Sequence, residues 1–416
     1  MPNDTREAAL DRLCEALGST LAETTDTEEF ENELMSLLME VGRRVFVEHA
    51  ERLKTSEPFE EGGVRWSIAI HSNLRVATSF GHVTVARPLF RDRRNGPTRC
   101  PLSEQLSLVR DMWSPRLARV AALASTELTL ERTVELLREM VGSAPSPASL
   151  HRLQCHLSAL WEDEREEHEA AIRAQRDIPE EASSVAVSLD GVMVHMVGSD
   201  RATKVARAKG NGQAAKGPSG YKEASVGVLT YYDAQGERLS SIRSARMPEP
   251  NKETLKAWIA KELAHIRTQR SDLTVVAIAD GAANNWSFLT ELHAGHEVVD
   301  FFHTAEHLHR HMNKANGAST VDTQAKLKEM RRKLQEEEDG AAAVFAELTK
   351  SRVAAGTEPT STRKKKGRRQ PTYFERHKDR MNYSTLQAMN LPIGSGVTEG
   401  TCKHLVVDRL RRAGMR

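Results

Sequence analysis

Residues 183–197, SSVAVSLDGVMVHMV, carry the reading on which the rest of the chain depends. Val185, Val187, Leu189, Val192 and Val194 predict a buried strand, and Asp190 interrupts it. An unpaired carboxylate in an apolar strand is costly, so its presence points to a partner, a water-filled cavity or a metal ion. The bland alternative is that Asp190 opens an Asp-Gly turn with Gly191.

Downstream, residues 198–222 form a loop rich in glycine and lysine, and EASVGVLTYYDAQGERLSSIRSARM (223–247) reads as two strands joined through Asp233–Gly236. ETLKAWIAKELAHIR (253–267) has helical periodicity, and TVVAIADGAANNW (274–286) is a buried strand ending in Asp280, again before glycine. SFLTELH (287–293) reads as a helix and EVVDFFH (297–303) as a further buried strand. The order strand, strand, strand, helix, strand, helix, strand predicts a mixed α/β sheet that is not doubly wound. From about His303 to about residue 390 the chain is helical and charged, with the basic run RKKKGRR at 363–369. A structureless loop of that length is implausible inside a domain, which predicts an inserted helical subdomain. LPIGSGVTEGTCKHLVVDRLRRAGMR (391–416) is a glycine-rich turn followed by a helix bearing Glu399.

Upstream, residues 1–60 read as an acidic helical region in which Phe30, Leu34, Leu37, Leu38 and Val41 line one face. Residues 61–105 predict a small antiparallel sheet: Val64, Trp66, Ile68 and Ile70 alternate with polar or small residues, a turn falls at Ser72-Asn73, and LRVATSFGHVTVARPLF follows. Residues 106–160 give three short helices, two opened by Ser114-Pro115 and Ser146-Pro147, one capped by Thr129 and closed at Gly142. The last buries Leu150, Leu153 and Leu157 and turns Ser149, Arg152 and His156 outward, which fits either a DNA-binding helix-turn-helix or a plain helical bundle. WEDEREEHEAAIRAQR (161–176) reads as a solvated connecting helix within a linker over 161–182.

Composition bounds the class. At roughly 100–200 residues per domain, 416 residues predict several domains. Four cysteines without a CxxC pair argue against a disulfide scaffold or zinc ribbon. There is no basic-then-apolar leader and no apolar run of about 18 residues, so the expected location is cytoplasmic, with no membrane partner. The formal net charge of +1 hides asymmetry: residues 1–60 hold 15 acids and 6 bases, residues 361–416 hold 14 bases and 4 acids. The basic end is a candidate polyanion surface. Arg363, Lys364, Lys365 and Lys366 there, Lys209 and Lys216 in the 198–222 loop (with Lys204, Arg207 and Lys222), and Lys403, Arg409, Arg411 and Arg412 on the last helix could reach phosphates, or could be solvated charge.

Asp190, Asp280 and Glu399 together are more specific than any one alone. Asp on a first strand, Asp at a later strand end and Glu on a terminal helix match an acidic triad that holds two Mg²⁺ ions for attack on phosphodiesters. Taken singly, Glu399 could simply pair with Lys403 at i,i+4. SLDGVMV, ADGAANNW with DFFHTAEHL, and LPIGSGVTEGTCKHLVVDRLRRAGMR resemble the DDE transposases of bacterial insertion sequences, most of all the ISKra-type group related to the Mutator-like superfamily. The likeness covers about residues 183–416 and, more loosely, the helix-turn-helix region. It implies a ribonuclease-H-like catalytic domain (183–416, helical insertion about 303–390) within an α+β multidomain chain. It implies catalytic and metal-binding Asp190, Asp280 and Glu399, and two Mg²⁺ ions with Mn²⁺ as substitute. It implies DNA strand cleavage and transfer on terminal inverted repeats and target DNA by a homodimer or larger oligomer at the nucleoid. Its (C/D)xxH signature falls on Asp300 and His303 as supporting or DNA-positioning groups. Relatives carry a cysteine pair where this chain has only Cys100, and they continue past the GMR at which it stops, so the chain reads as truncated; a catalytically inactive, DNA-binding derivative is the alternative.

Two other motifs compete. His303-Thr-Ala-Glu306-His307 formally matches the HxxEH signature of inverted zinc peptidases. KGNGQAAKGPSGYK resembles a phosphate-binding loop, but Pro218 stands where the lysine belongs.

Overall fold

In the computed structural model, residues 3–93, 96–141, 144–196, 208–210, 221–316, 321–354 and 373–411 are described. The fold is mixed α+β with two sheets, and the chain divides into two units, Met1–His168 and Glu169–Arg416.

In the first unit, helix Asn3–Thr20 is followed by helix Thr27–Leu53, whose N-cap Asp26 accepts the Glu29 N–H at 2.9 Å. The apolar face expected around Phe30 and Leu38 is open, each residue being 37% exposed. Helical periodicity reports which side is apolar, not whether anything covers it. The packed part comes later: Phe46, Val47, Ala50 and Leu53 meet Leu74, Val76, Val83 and Val85. Strands β1 (Phe59–Glu61), β2 (Val64–Thr78) and β3 (Gly81–Arg91) form an antiparallel sheet in sequence order. No turn forms at Ser72-Asn73. Both residues pair in the ladder, with Arg87 and Ala86, because a long partner strand satisfies their backbone groups. The reversal lies between Thr78 and Gly81, where Gly81 has φ +99° and the Thr78 hydroxyl donates to the Gly81 carbonyl at 2.7 Å.

The three helices are Pro115–Glu127, Leu130–Val141 and Pro147–Asp163. Ser114 caps the first through the Leu117 N–H (3.4 Å), Thr129 the second through Arg132 (3.3 Å), and Ser146 the third through Ser149 (3.2 Å). The expected closing residue Gly142 lies outside the described residues. Leu117, Val134, Leu137, Leu150 and Leu153 close on Trp113 and on Ala77 of β2. The stretch 161–176 is not a single helix: the third helix ends at Asp163, and a separate helix covers Arg165–Ala174.

The second unit is built on β4 (Ser184–His195), β5 (Tyr221–Tyr232), β6 (Arg238–Arg246), β7 (Thr274–Ala279) and β8 (His296–Val299), in the order β6-β5-β4-β7-β8. β6, β5 and β4 are mutually antiparallel, whereas β7 and β8 run parallel to β4. Alternate residues of β5 serve opposite faces. Leu229 packs with Leu255 and Ile259 of helix Glu253–Gln269, while Val226 and Val228 pack with Cys402 and Val406 of the C-terminal helix. Both faces being covered explains the near-continuous apolar strands.

Helix Ala283–Glu291 separates β7 from β8. The strand expected over 297–303 stops at Val299, and a helix starts at Phe301 (Phe301–Asn316). Asp300 causes the change, because its carboxylate accepts the His303 N–H at 2.7 Å in the manner of an N-cap. Helices Val321–Glu336, Gly340–Ala354, Tyr373–His377 and Tyr383–Ala388 follow, with Met330, Leu334, Val344 and Leu348 in the core of this unit. The final helical run is Gly396–Thr401, a π-helical turn Cys402–Val407, and Asp408–Leu410. No helix among the described residues is long and apolar enough to cross a membrane.

Candidate active site

The parallel registers bring three aspartates to one level. Ser188 pairs with Ile278, and Ala279 with Val299. Continuing those registers past the paired residues puts Asp190, Asp280 and Asp300 side by side: Asp280 and Asp300 directly follow β7 and β8, and Asp190 lies within β4 just past its parallel pairing with β7, on the side where open α/β sheets hold ligands.

Asp190 is half-buried. Its carboxylate accepts the Gly191 N–H at 2.6 Å, and the Cys402 thiol donates to it at 3.7 Å. Burial pushes its pKa up, and the charge of Asp280 adds to that against the opposing influence of Gly191, His303 and Lys252. Burial and the same carboxylate push the Cys402 thiol up to about 12. Asp280 is held from below: one oxygen accepts the Ala282 N–H and the Asn285 amide, each at 3.1 Å, and its backbone carbonyl accepts the Trp286 indole N–H at 2.6 Å. The amide of Asn285 is itself fixed, accepting from Lys252 Nζ at 3.2 Å. Lys252 also pairs with Glu223 at 3.1 Å.

Asp300 behaves differently although it stands at the same level. It is 1% exposed and fully engaged. It accepts the His303 backbone N–H, the His303 ring Nδ1 at 3.0 Å, the Ser395 hydroxyl at 2.7 Å and the Ser395 backbone N–H. Burial alone would raise its pKa, but these bonds outweigh it and hold the carboxyl at about 2. His303 is raised to about 9, first by its bond to Asp300 and further by Asp190 and Asp280, against burial. At neutral pH the row therefore holds an ionised Asp300 with a charged imidazole beside it.

Glu399 is exposed and makes no ion pair with Lys403. Its neighbour Thr398 is buried and shares a hydrogen bond with Ser188 of β4, so the start of the C-terminal helix is fixed two residues from Asp190. The charge of Glu399 is felt by Cys402. Among the described residues no three His, Cys, Asp or Glu side chains stand close enough to hold a metal ion together. Asp190 and Asp280 alone fit a hard divalent cation, since Mg²⁺ keeps several waters and needs one or two carboxylates plus substrate phosphate.

A buried floor lies behind Asp280. A Cβ on Gly281 would stand 2.3 Å from the Tyr373 ring, and Tyr373 stacks on His307 with ring centroids 3.8 Å apart. His377, 2% exposed, adjoins the same glycine; burial and Arg380 push its pKa down. In the HxxEH stretch, His303 is bound to Asp300, Glu306 lies 3.9 Å from Arg310, and His307 lies flat on Tyr373.

Of the expected phosphate contacts, Arg152 is exposed and donates to Ser149 at 3.1 Å on the outward side of helix 147–163, with His156 half-buried on the same helix. Lys209 and Lys403 are exposed, and Arg409 donates to the His404 carbonyl. Lys204, Arg207, Lys216, Arg363, Lys364, Lys365, Lys366 and Arg412 lie outside the described residues. Lys252, Asn285, Ser395 and Cys402 were not foreseen. Asn285 and Ser395 sit in quoted motifs, ADGAANNW and PIGSG, where their polarity was a usable signal; Lys252 follows an unremarked Pro-Asn turn. In comparisons with known proteins, no family model and no curated protein matches this chain.

Proposed function

We propose that the second unit is the catalytic domain of a DDE transposase of the insertion-sequence type, with a ribonuclease-H-like fold, and that Asp190 and Asp280 are its metal-binding acids. The observation that carries this reading is the pair of carboxylates at one level of adjacent parallel strands, Asp190 within β4 and Asp280 directly after β7, in a sheet whose first three strands are antiparallel and whose last two run parallel to the first. That sheet order, together with a helical excursion returning to a glutamate-bearing helix packed on the first strand, supports the fold assignment. Two carboxylates left close together and partly desolvated repel one another, and a hard cation relieves that.

Asp190 and Asp280 would hold Mg²⁺ or Mn²⁺, with Glu399 as the third acid. The ions supply activation of water or a 3′-hydroxyl and stabilisation of the leaving oxygen. The protein's own groups prepare the site. Asn285 and the Ala282 N–H orient Asp280, leaving one of its oxygens for a ligand. Asp300 keeps His303 charged beside the acids, where it can bind a phosphate oxygen. The helices at 115–163, with Ser149, Arg152 and His156, are the proposed helix-turn-helix contact to DNA ends, bound as a dimer or larger assembly.

The full chain with Mg²⁺ should nick DNA carrying the terminal repeats that flank its reading frame. Asp190→Asn and Glu399→Gln should each lower the rate on the order of 10³-fold or more. Nicking that survives in both variants rejects the assignment. The exposure of Glu399 favours a second reading, a DNA-binding protein that does not cut, which tight binding to those ends with no nicking by the wild type would establish.

A further inference from the structure

Lys252 occupies a position that neither the acidic triad nor the helix caps explain. Asn251 and Lys252 both have left-handed backbones, φ +53° and +57°, immediately before helix Glu253–Gln269. Two successive non-glycine residues in that region are strained, and the strain persists only where the surroundings enforce it. Here they do. The Glu249 carboxylate accepts the backbone N–H groups of Thr254 and Leu255, each at 3.1 Å, and the Thr254 hydroxyl at 2.7 Å. This clamps the loop against the helix and turns the lysine back toward the sheet.

The Lys252 side chain is 14% exposed and bridges two groups, Glu223 of β5 at 3.1 Å and the Asn285 side-chain oxygen at 3.2 Å. Asn285 passes the contact on to Asp280. The Lys252 charge also reaches Asp190 and Cys402. Gly191, the residue after Asp190, keeps this arrangement open, because a Cβ there would stand 1.8 Å from the Glu223 carboxylate oxygen. An ammonium group has three N–H donors. One donates to Asn285, the ion pair with Glu223 holds the group on a second side, and an N–H is left without a partner among the described residues.

A lysine held by a strained turn, mostly out of solvent, hydrogen-bonded to Asn285, paired with Glu223 and with an N–H left open beside a carboxylate pair, is built to receive an anion. A plain structural ion pair does not require the strain or the link to Asp280. We infer that Lys252 is a substrate-contacting residue whose free N–H binds a non-bridging oxygen of the DNA phosphate held at Asp190 and Asp280. This rests on the phosphodiester-cleavage reading above. Glu223 and Asn285 are the positioning residues that hold the ammonium in place.

The two roles a lysine could play here have opposite signatures on metal binding. A cation near the acids repels a divalent ion, so Lys252→Met should leave Mn²⁺ affinity of the full chain, measured without DNA by calorimetry or by the spectroscopic signal of free Mn²⁺, unchanged or several-fold tighter. Single-turnover cleavage by the same variant should fall about 10²-fold, the usual loss for one preorganised donor to a developing anion, and Lys252→Arg should recover most of it. Mn²⁺ binding lost along with cleavage would make Lys252 a structural support and overturn the inference. So would cleavage by Lys252→Met at the wild-type rate. A wild-type chain that takes up no Mn²⁺ overturns this inference and the parent reading together, whereas equal Mn²⁺ uptake and equal cleavage in wild type and Lys252→Met overturns this inference alone.

Discussion

Asp300 and Ser395, 95 positions apart, are joined by two hydrogen bonds in which both the backbone N–H and the hydroxyl of the serine donate to the buried carboxylate. The Phe301 N–H adds a third link to the same turn, donating to the Ile393 carbonyl at 3.0 Å. The long helical excursion thus leaves the sheet at β8 and returns to the same point, which sets where the helix bearing Glu399 begins.

Asp300→Ala should therefore destabilise the second unit by about 2–3 kcal/mol, the usual loss when hydrogen bonds to a buried charge are removed. The pH dependence has a definite sign. Asp300, depressed to about 2 from 3.8, contributes stability that is present above 3.8 and lost as pH falls through about 2. His303, raised to about 9 from 6.5, contributes stability that is present below 6.5 and lost as pH rises through about 9. Denaturant unfolding across pH 6 to 10 should show the alkaline fall in the wild type and a flatter profile in His303→Gln. Identical profiles would remove the ion pair from the account.

Asp190→Asn should make the chain more resistant to urea at pH 7 even as it ends any cleavage. Burial first, and Asp280 second, raise the Asp190 pKa, so the ionised form is disfavoured in the folded state and costs stability above that pKa. The advantage of the amide should shrink as pH falls below the ordinary carboxylate range, where wild-type Asp190 is itself neutral. A lower urea midpoint for the variant at pH 7 would contradict this.

Gly281→Ala should cost about 1–3 kcal/mol in thermal or denaturant unfolding, since the added methyl would lie 2.3 Å from the Tyr373 ring and overpack the floor under Asp280. Combining it with Tyr373→Ala should recover part of the loss in a double-mutant cycle. Strict additivity would place the strain elsewhere.

Glu262→Ala should be the most damaging charge removal away from the acids. Glu262 is 1% exposed and pairs with Arg173 at 3.1 Å and Arg176 at 2.6 Å, tying the charged segment before β4 to helix 253–269. Removing one member of a buried cluster leaves the others uncompensated, so about 3 kcal/mol should be lost in equilibrium unfolding. Unchanged stability would show that the arginines are solvated by other means.

The strands and caps were the legible part of this sequence. Short-range physics decides them: Ser114, Thr129 and Ser146 cap the helices expected of them, and β4, β5, β6 and β7 lie where their apolar residues predict. The errors arose where a distant partner chose between local options. Ser72-Asn73 has turn chemistry but is held in a ladder by β3, and Asp300 turns a predicted strand end into a helix cap. The candidate acids could be picked out one by one, but their common level depends on the β4–β7 and β7–β8 registers, which no local pattern encodes. Lys252 was invisible because its importance lies in a backbone conformation that its residue type disfavours.

The π-helical turn Cys402–Val407 sets the angular phase of the chain beyond it. Such a turn behaves as one residue added to an ordinary helix, and each residue of a helix advances the azimuth by about 100°. Deleting one residue between Cys402 and Val407 would close the bulge into an ordinary helix and leave Arg409, Glu399 and the Thr398–Ser188 contact close to where they are, whereas the same chain length wound as a regular helix would swing Arg409 by that angle. The bulge thus absorbs one residue between the acidic start of this helix and its basic end, so that the linking length can change by one without re-aiming either.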